Sequence, residues 1–137
     1  RVKVTGIAAC LMMVDIDHFK AINDTYGHAI GDRVIQDVAT ILRANCREED
    51  RAGRLGGEEF GVLLRCIKFE DMRPTAERMR AAVEALTIEE IPSLRITVSM
   101  GVAQLGETIV SVTDWLEIAD RRLYQAKHKG RNTVIAA

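Results

Sequence analysis

The residues Ile7 to Val14 form a nearly continuous apolar run that ends at Asp15. A run of this length predicts a central strand covered on both faces. From His18 to Gly31 the chain turns polar and rich in turn formers, with Gly27 and Gly31 inside the stretch. Ile30, Val34, Val38, Ile41 and Leu42 then recur at helical spacing, which predicts a helix to about residue 44. Arg54 to Leu64 reads as a hairpin turning at Gly56-Gly57, with Phe60, Val62 and Leu64 on one face of its second strand. A second helix is expected after Pro74, a residue suited to a first turn, with the stripe Ala76, Met79, Val83 and Leu86. Pro92 closes that region. Ile96, Val98, Met100 and Val102 alternate as in a strand. A third helix is expected from a cap near Thr113, carrying Trp115, Leu116, Ala119, Leu123 and Ala126 and ending at Gly130. Thr133 to Ala136 would add a short edge strand.

This order, β-α-β-β-α-β with a further helix and strand, predicts an α+β fold. Its core would be ferredoxin-like, with an antiparallel central sheet and helices on one face. Such a fold hosts many activities and assigns none.

Composition narrows the class. At 137 residues, 47% apolar, the chain can bury a core as a single domain. Charged residues make up 28% and the formal net charge is -1, which argues against a general DNA, RNA or anionic-membrane binder. The three cysteines, Cys10, Cys46 and Cys66, show no zinc spacing and read as reduced thiols in or near a core, which fits a cytoplasmic domain.

The candidate chemistry is acidic. Asp15 and Asp17 stand at the end of the first strand, and Glu58 and Glu59 follow the glycine turn. In a split-βαβ sheet these two places can be neighbours, and their carboxylates could converge on a divalent ion. Magnesium prefers hard oxygen ligands and shares them with substrate phosphates. Acids are also common at solvated strand ends, so the pattern alone leaves both readings open.

Three ordered motifs go further. Asp15-Ile16-Asp17-His18-Phe19-Lys20 with Asn23-Asp24, Gly27-His28 and Gly31-Asp32 resembles the first signature of the GGDEF family. Arg54-Leu55-Gly56-Gly57-Glu58-Glu59-Phe60 resembles its defining signature in the GGEEF variant, and Tyr124-Gln125-Ala126-Lys127 with Gly130-Arg131-Asn132 its C-terminal one. The resemblance implies a palm-type, nucleotidyl cyclase-like fold. It implies a diguanylate cyclase that condenses two GTP into cyclic di-GMP and two pyrophosphates, with Mg²⁺, or Mn²⁺ in its place, as cofactor. It gives Asp15, Glu58 and the Ile16 carbonyl to the metal, and Glu59 to activation of the attacking hydroxyl. Asn23 and Asp32 would read guanine. Lys127 and Arg131 would clamp the terminal phosphates, helped by Lys20 and the backbone near His18 and Phe19.

Arg47-Glu48-Glu49-Asp50 matches the family's RxxD motif, which implies a product-binding inhibitory site of Arg47 and Asp50 completed by Arg78 or Arg80. A site that holds one GTP implies that two copies must meet. Only Arg1 to Gly6 precede the first strand, where the family carries an Asp-x-Leu-Thr-Gly-Leu segment. The expectation is one domain, residues 1–137, cut from a longer protein with an upstream regulatory domain, through which alone a membrane would be involved. A different class, a non-catalytic sensor of cyclic di-GMP or GTP, is disfavoured by the intact acids Asp15, Glu58 and Glu59.

Overall fold

A computed structural model describes residues 8–105 and 111–137. Its elements are β1 (Ala8–Ile16), α1 (Phe19–Tyr26), α2 (His28–Ala44), β2 (Arg51–Gly56), β3 (Glu59–Ile67), α3 (Phe69–Glu84), β4 (Val98–Gln104), α4 (Val112–His128) and β5 (Val134–Ile135). The strands form one sheet in the order β2-β3-β1-β4-β5. The first four are antiparallel to their neighbours, as expected, but β5 pairs with β4 in parallel, with Met100 opposite Val134. The sheet is therefore mixed, because the chain re-enters it after crossing over through α4.

The expectation of helices on one face also needs correction. Side chains alternate along β1. Cys10, Met12, Val14 and Ile16 join Val34, Val38, Leu42, Phe60, Met79 and Val83 in the main core, beneath α2 and α3. Met13 faces the other way and packs with Ala103, Ala119, Leu123, Leu11 and Trp115, beneath α4. Helices thus cover both faces, which explains why the first strand reads as an unbroken apolar run. Gly101 lets α4 lie close: a Cβ there would run into the backbone of Ala119 and Leu123. The Trp115 indole fixes the same contact, donating from Nε1 to the Ala103 carbonyl at 2.7 Å.

Several boundaries move. The polar stretch after β1 contains a helix, α1, that buries only Ile22 and therefore shows little apolar periodicity. Gly27, at φ 91°, breaks it from α2. The helix α3 begins at Phe69, five residues before Pro74, which sits inside it. Glu70 and Asp71 in its first turn suit the positive end of the helix dipole, and Met72 extends the apolar stripe backwards. Leu86 falls beyond the helix end, β4 starts at Val98 rather than Ile96, and β5 is confined to Val134–Ile135. The cap of α4 is Ser111, whose hydroxyl accepts from the Asp114 N–H at 3.1 Å, and not Thr113. The second strand starts earlier than expected, at Arg51. Ile7 and Arg1 to Gly6 lie outside the described residues. Among the described residues no helix is long and apolar enough to cross a membrane. All three cysteines are free thiols, but Cys66 is exposed rather than near the core.

Candidate active site

The stripe of β1 that faces α4 changes character along its length. Leu11 and Met13 are apolar; Asp15 and Asp17, next on the same face, are buried acids. A buried carboxylate needs partners, and each of these has found them. Asp15 Oδ2 accepts from Lys127 Nζ at 2.7 Å, in the last turn of α4. Asp17 accepts from Thr97 Oγ1 at 2.7 Å, Ser99 Oγ at 2.6 Å and the Asn132 N–H at 3.0 Å.

The hairpin brings the other acids alongside. Asp15 stands opposite Glu59 in the β1–β3 register, and the Ile16 N–H donates to the Glu58 carbonyl at 3.2 Å. Gly57 makes the turn possible at φ 53°, and Arg54 Nε braces it by donating to the Gly57 carbonyl at 2.8 Å. Burial pushes the Asp15 carboxyl above its usual range. The charges of Glu58 and Glu59 push it further, against the hydrogen bond and charge of Lys127. Excess negative charge therefore gathers where β1 meets the hairpin, with one ammonium offsetting it. This donor set of hard oxygens suits a divalent cation of the magnesium type. Among the described residues no three His, Cys, Asp or Glu side chains are already gathered at ligating distance.

The packed junction of α1 and α2 holds the next group. The Asn23 amide lies against Gly31, where a Cβ would collide with it, and Gly31 precedes Asp32 in the chain. Asn23 Oδ1 is buried and, among the described residues, has no hydrogen-bond partner, a state that a ligand donor would relieve. Asp32 is exposed. At the other end of α1, His18 adopts the left-handed conformation at φ 55° and starts the helix at Phe19. Phe19 packs partly against the core. Lys20 is an exposed cation that pairs with Asp24 at 3.2 Å.

The turn after α4 completes this end of the molecule. Gly130 follows the helix at φ 110°, and the Arg131 N–H donates back to the Ala126 carbonyl at 3.0 Å, closing the helix in a Schellman arrangement. Arg131 is exposed.

A second cluster lies at the far end of α2. Asp50 is buried, and its two oxygens accept four bonds: from the Arg47 N–H, Nε and Nη2 at 2.8, 3.1 and 3.0 Å, and from the Arg65 N–H at 3.2 Å. Burial alone would raise the Asp50 carboxyl, but these hydrogen bonds hold it below the usual carboxylate range. A cavity of about 250 Å³ opens beside it, lined by Asn45, Arg47, Asp50 and Arg78 among others. Arg78 reaches Asn45 Oδ1 at 3.0 Å, whereas Arg80 points elsewhere, to Glu77, Glu84 and Asn132. Sequence reasoning could not separate the two arginines; helix α3 sends them to different faces.

An α+β sheet domain with an acid pair at a β1–hairpin junction and a basic helix end opposite defines the class. The GGDEF model, "Diguanylate cyclase, GGDEF domain", matches residues 3–133, and the chain belongs to this family. It is 44% identical over 130 residues to the probable diguanylate cyclase DgcT of Escherichia coli, covering 92% of this chain and 28% of that protein. It is 42% identical over 125 residues to diguanylate cyclase A of Treponema denticola, covering 90% of this chain and 34% of that protein. The chain thus spans about a third of the length of these curated relatives. Among solved structures, the active GGEEF domain of a diguanylate cyclase from Vibrio cholerae superimposes with TM-score 0.88 at 31% identity, covering 95% of this chain and 83% of that one. The GGDEF domain of DgcB from Caulobacter crescentus in complex with c-di-GMP gives 0.87 at 37% identity, covering 96% and 78%.

Proposed function

We propose that this domain, in a protein that brings two copies together, condenses two GTP molecules into cyclic di-GMP. The observation that carries the reading is the facing of Asp15 and Glu59 across β1 and β3, with Lys127 on Asp15. In this reading Asp15, Glu58 in its GGEEF-variant turn and the Ile16 carbonyl hold Mg²⁺, or Mn²⁺. The ion, when bound, offsets phosphate charge and favours ionisation of a coordinated hydroxyl.

The chain's own residues do the rest. Asn23 and Asp32 orient the base: guanine offers N1–H and N2–H₂ donors to a carboxylate, and adenine lacks that paired edge. Lys127, Arg131 and Lys20, with the amides near His18 and Phe19, hold the triphosphate and offset charge moving onto the leaving group. The O3′ of one GTP attacks the α-phosphorus of the other. An O–P bond forms, the bond to the β-phosphate oxygen breaks, and pyrophosphate departs. Glu59 takes the hydroxyl proton or orients the water that does. The same step repeated in the opposite sense closes the ring, so two domains related by a two-fold axis must face each other.

Cyclic di-GMP is proposed to inhibit by binding at Arg47, Asp50 and Arg78. Arg80 faces away from that cavity. Because Asp50 is already saturated by Arg47 and Arg65, the product would engage chiefly the arginines, drawing Arg47 off Asp50. The domain is proposed to act in the cytoplasm, under an upstream regulatory domain through which any membrane anchoring would come.

Incubation with GTP and Mg²⁺, read by chromatography, tests the reading. Wild type yields cyclic di-GMP and Glu59→Gln does not. A wild type that binds GTP with Mg²⁺ and forms no product at any protein concentration marks a sensor instead.

A further inference from the structure

The turn that carries Arg131 is built from an unfavourable backbone. Arg131 and Asn132 are consecutive non-glycine residues in the left-handed region, at φ 64° and 46°. Such a pair persists only where surrounding contacts over-determine it. The contacts come from two sides. From the residue just past β1, Asp17 Oδ2 accepts the Asn132 N–H at 3.0 Å, while Thr97 and Ser99 hold the same carboxylate. From α3, Arg80 Nη1 donates to Asn132 Oδ1 at 2.8 Å, and Asn132 Nδ2 donates to Glu84 Oε2 at 2.7 Å. Arg80 and Glu84 are joined at 3.1 Å, so the Asn132 amide plugs into a closed three-residue ring with both its polar atoms satisfied. The ring is partly sheltered, with the Arg80 side chain only 16% exposed. The Asn132 amide, then Arg80, hold the Glu84 carboxyl below its usual range, so the acid stays charged near neutral pH.

We infer that Arg80, Glu84 and Asn132 are positioning residues for the substrate phosphates: the ring locks the turn after α4 in the conformation that aims Arg131. This rests on the reading of Lys127 and Arg131 as the phosphate clamp. It gives α3 two functions on two faces, with Arg78 lining the cavity by Asp50 and Arg80 holding the phosphate arm. None of the three ring residues touches nucleotide in this account; they act through the backbone of Arg131.

The test uses calorimetry with a non-hydrolysable GTP analogue and with GMP, both with Mg²⁺, on the whole chain. GMP lacks the terminal phosphates, so the ratio of the two affinities isolates the clamp. Arg131→Ala tests the clamp itself and lowers that ratio. Asn132→Gly keeps a residue at ease in the left-handed conformation and keeps the N–H to Asp17, but removes the amide from the ring. If the aimed conformation falls to about a tenth of the population, triphosphate affinity falls about tenfold, with GMP affinity unchanged. Arg80→Ala acts in the same direction, and Arg80→Lys, which keeps a donor for Asn132 and a charge for Glu84, falls between it and wild type.

Three results overturn the inference and differ from one another. If Arg131→Ala lowers the ratio while Asn132→Gly and Arg80→Ala leave it at the wild-type value, the ring does not aim Arg131. If the ring variants weaken the analogue and GMP alike, the ring is merely structural. If Arg131→Ala itself leaves the ratio unchanged, the phosphate-clamp reading fails and takes the ring's role with it.

Discussion

Lys127 Nζ lies 2.7 Å from Asp15 Oδ2, joining the last turn of α4 to the end of β1 across the sheet. The pair neutralises one charge of an acidic group that folding has placed in a poor environment. Asp15 is 4% exposed, and Glu58 and Glu59 stand near it.

Because the Asp15 carboxyl is raised in the fold, its ionised form costs stability. That cost grows as pH rises through the folded value, so near neutral pH the acid opposes folding. Replacing it by Asn should leave thermal stability without ligand at or above wild type, within about 1 kcal/mol, while abolishing cyclase activity. Thermal melts at neutral pH, with and without GTP and Mg²⁺, check this. Ligand should raise the wild-type midpoint and leave the variant's nearly unchanged. A large drop in the variant's ligand-free midpoint would contradict it.

Gly101→Ala should be severe. The added Cβ meets backbone of α4, at Ala119 and Leu123, and not a side chain that can rotate away. Overpacking of this kind costs about 1–3 kcal/mol or more. Since α4 carries Lys127, activity should fall further than the loss of folded protein accounts for. Urea unfolding and turnover corrected for folded fraction measure the two effects separately.

Asp50 has the opposite sign from Asp15. Its carboxyl is held low, so its contribution to stability is present above the ordinary carboxylate pKa and is lost as pH falls through the folded value. The urea midpoint of wild type should therefore fall steeply below about pH 4, and less so in Asp50→Asn. Asp50→Ala should cost about 1–3 kcal/mol at neutral pH, because it strands the Arg47 and Arg65 N–H groups. Arg78→Ala is the cleaner probe of product binding at this cavity. It should weaken cyclic di-GMP in calorimetry without lowering the melting midpoint appreciably.

Base choice rests on Asn23 and Asp32 at the α1–α2 junction. Wild type should bind GTP far more tightly than ATP, and Asp32→Ala should erase most of the difference. Gly31→Ala displaces the Asn23 amide, a side chain that can move, so it should lower GTP affinity with little loss of fold. Comparable binding of both nucleotides by wild type, unaltered in Asp32→Ala, would rule this junction out as the base reader.

The strands β1, β3 and β4 were legible because each has a covered face: Val98, Met100 and Val102 alternate, and β1 is apolar on both sides, whereas β2 buries no residue and its start at Arg51 carried no signal. The helix α1 was not, since one buried residue, Ile22, gives no period to read. Pro74 misled for a physical reason: a proline suits a first turn, yet here Glu70, Asp71 and Met72 begin the helix before it. The side of the sheet that α4 covers was hidden as well. Small residues at Ser99, Gly101 and Ala103 carry that signal, but only once their shared face is known. In the site, the acids and glycines could be found in the sequence. The pairing of Asp15 with Lys127 was not legible, because 112 positions separate them; the family resemblance gave Lys127 only to the phosphates. Asn132 and Arg80, 52 positions apart, carried no signal of their contact.

The most direct test of the account is the rate of product formation against protein concentration, with cyclic di-GMP and pyrophosphate measured together in GTP and Mg²⁺. The account predicts one cyclic di-GMP and two pyrophosphates for every two GTP consumed, at a rate per domain that rises with concentration as copies meet, and nothing from Glu59→Gln. Absence of cyclic di-GMP at every concentration, or a rate per domain that stays constant on wide dilution, would contradict it.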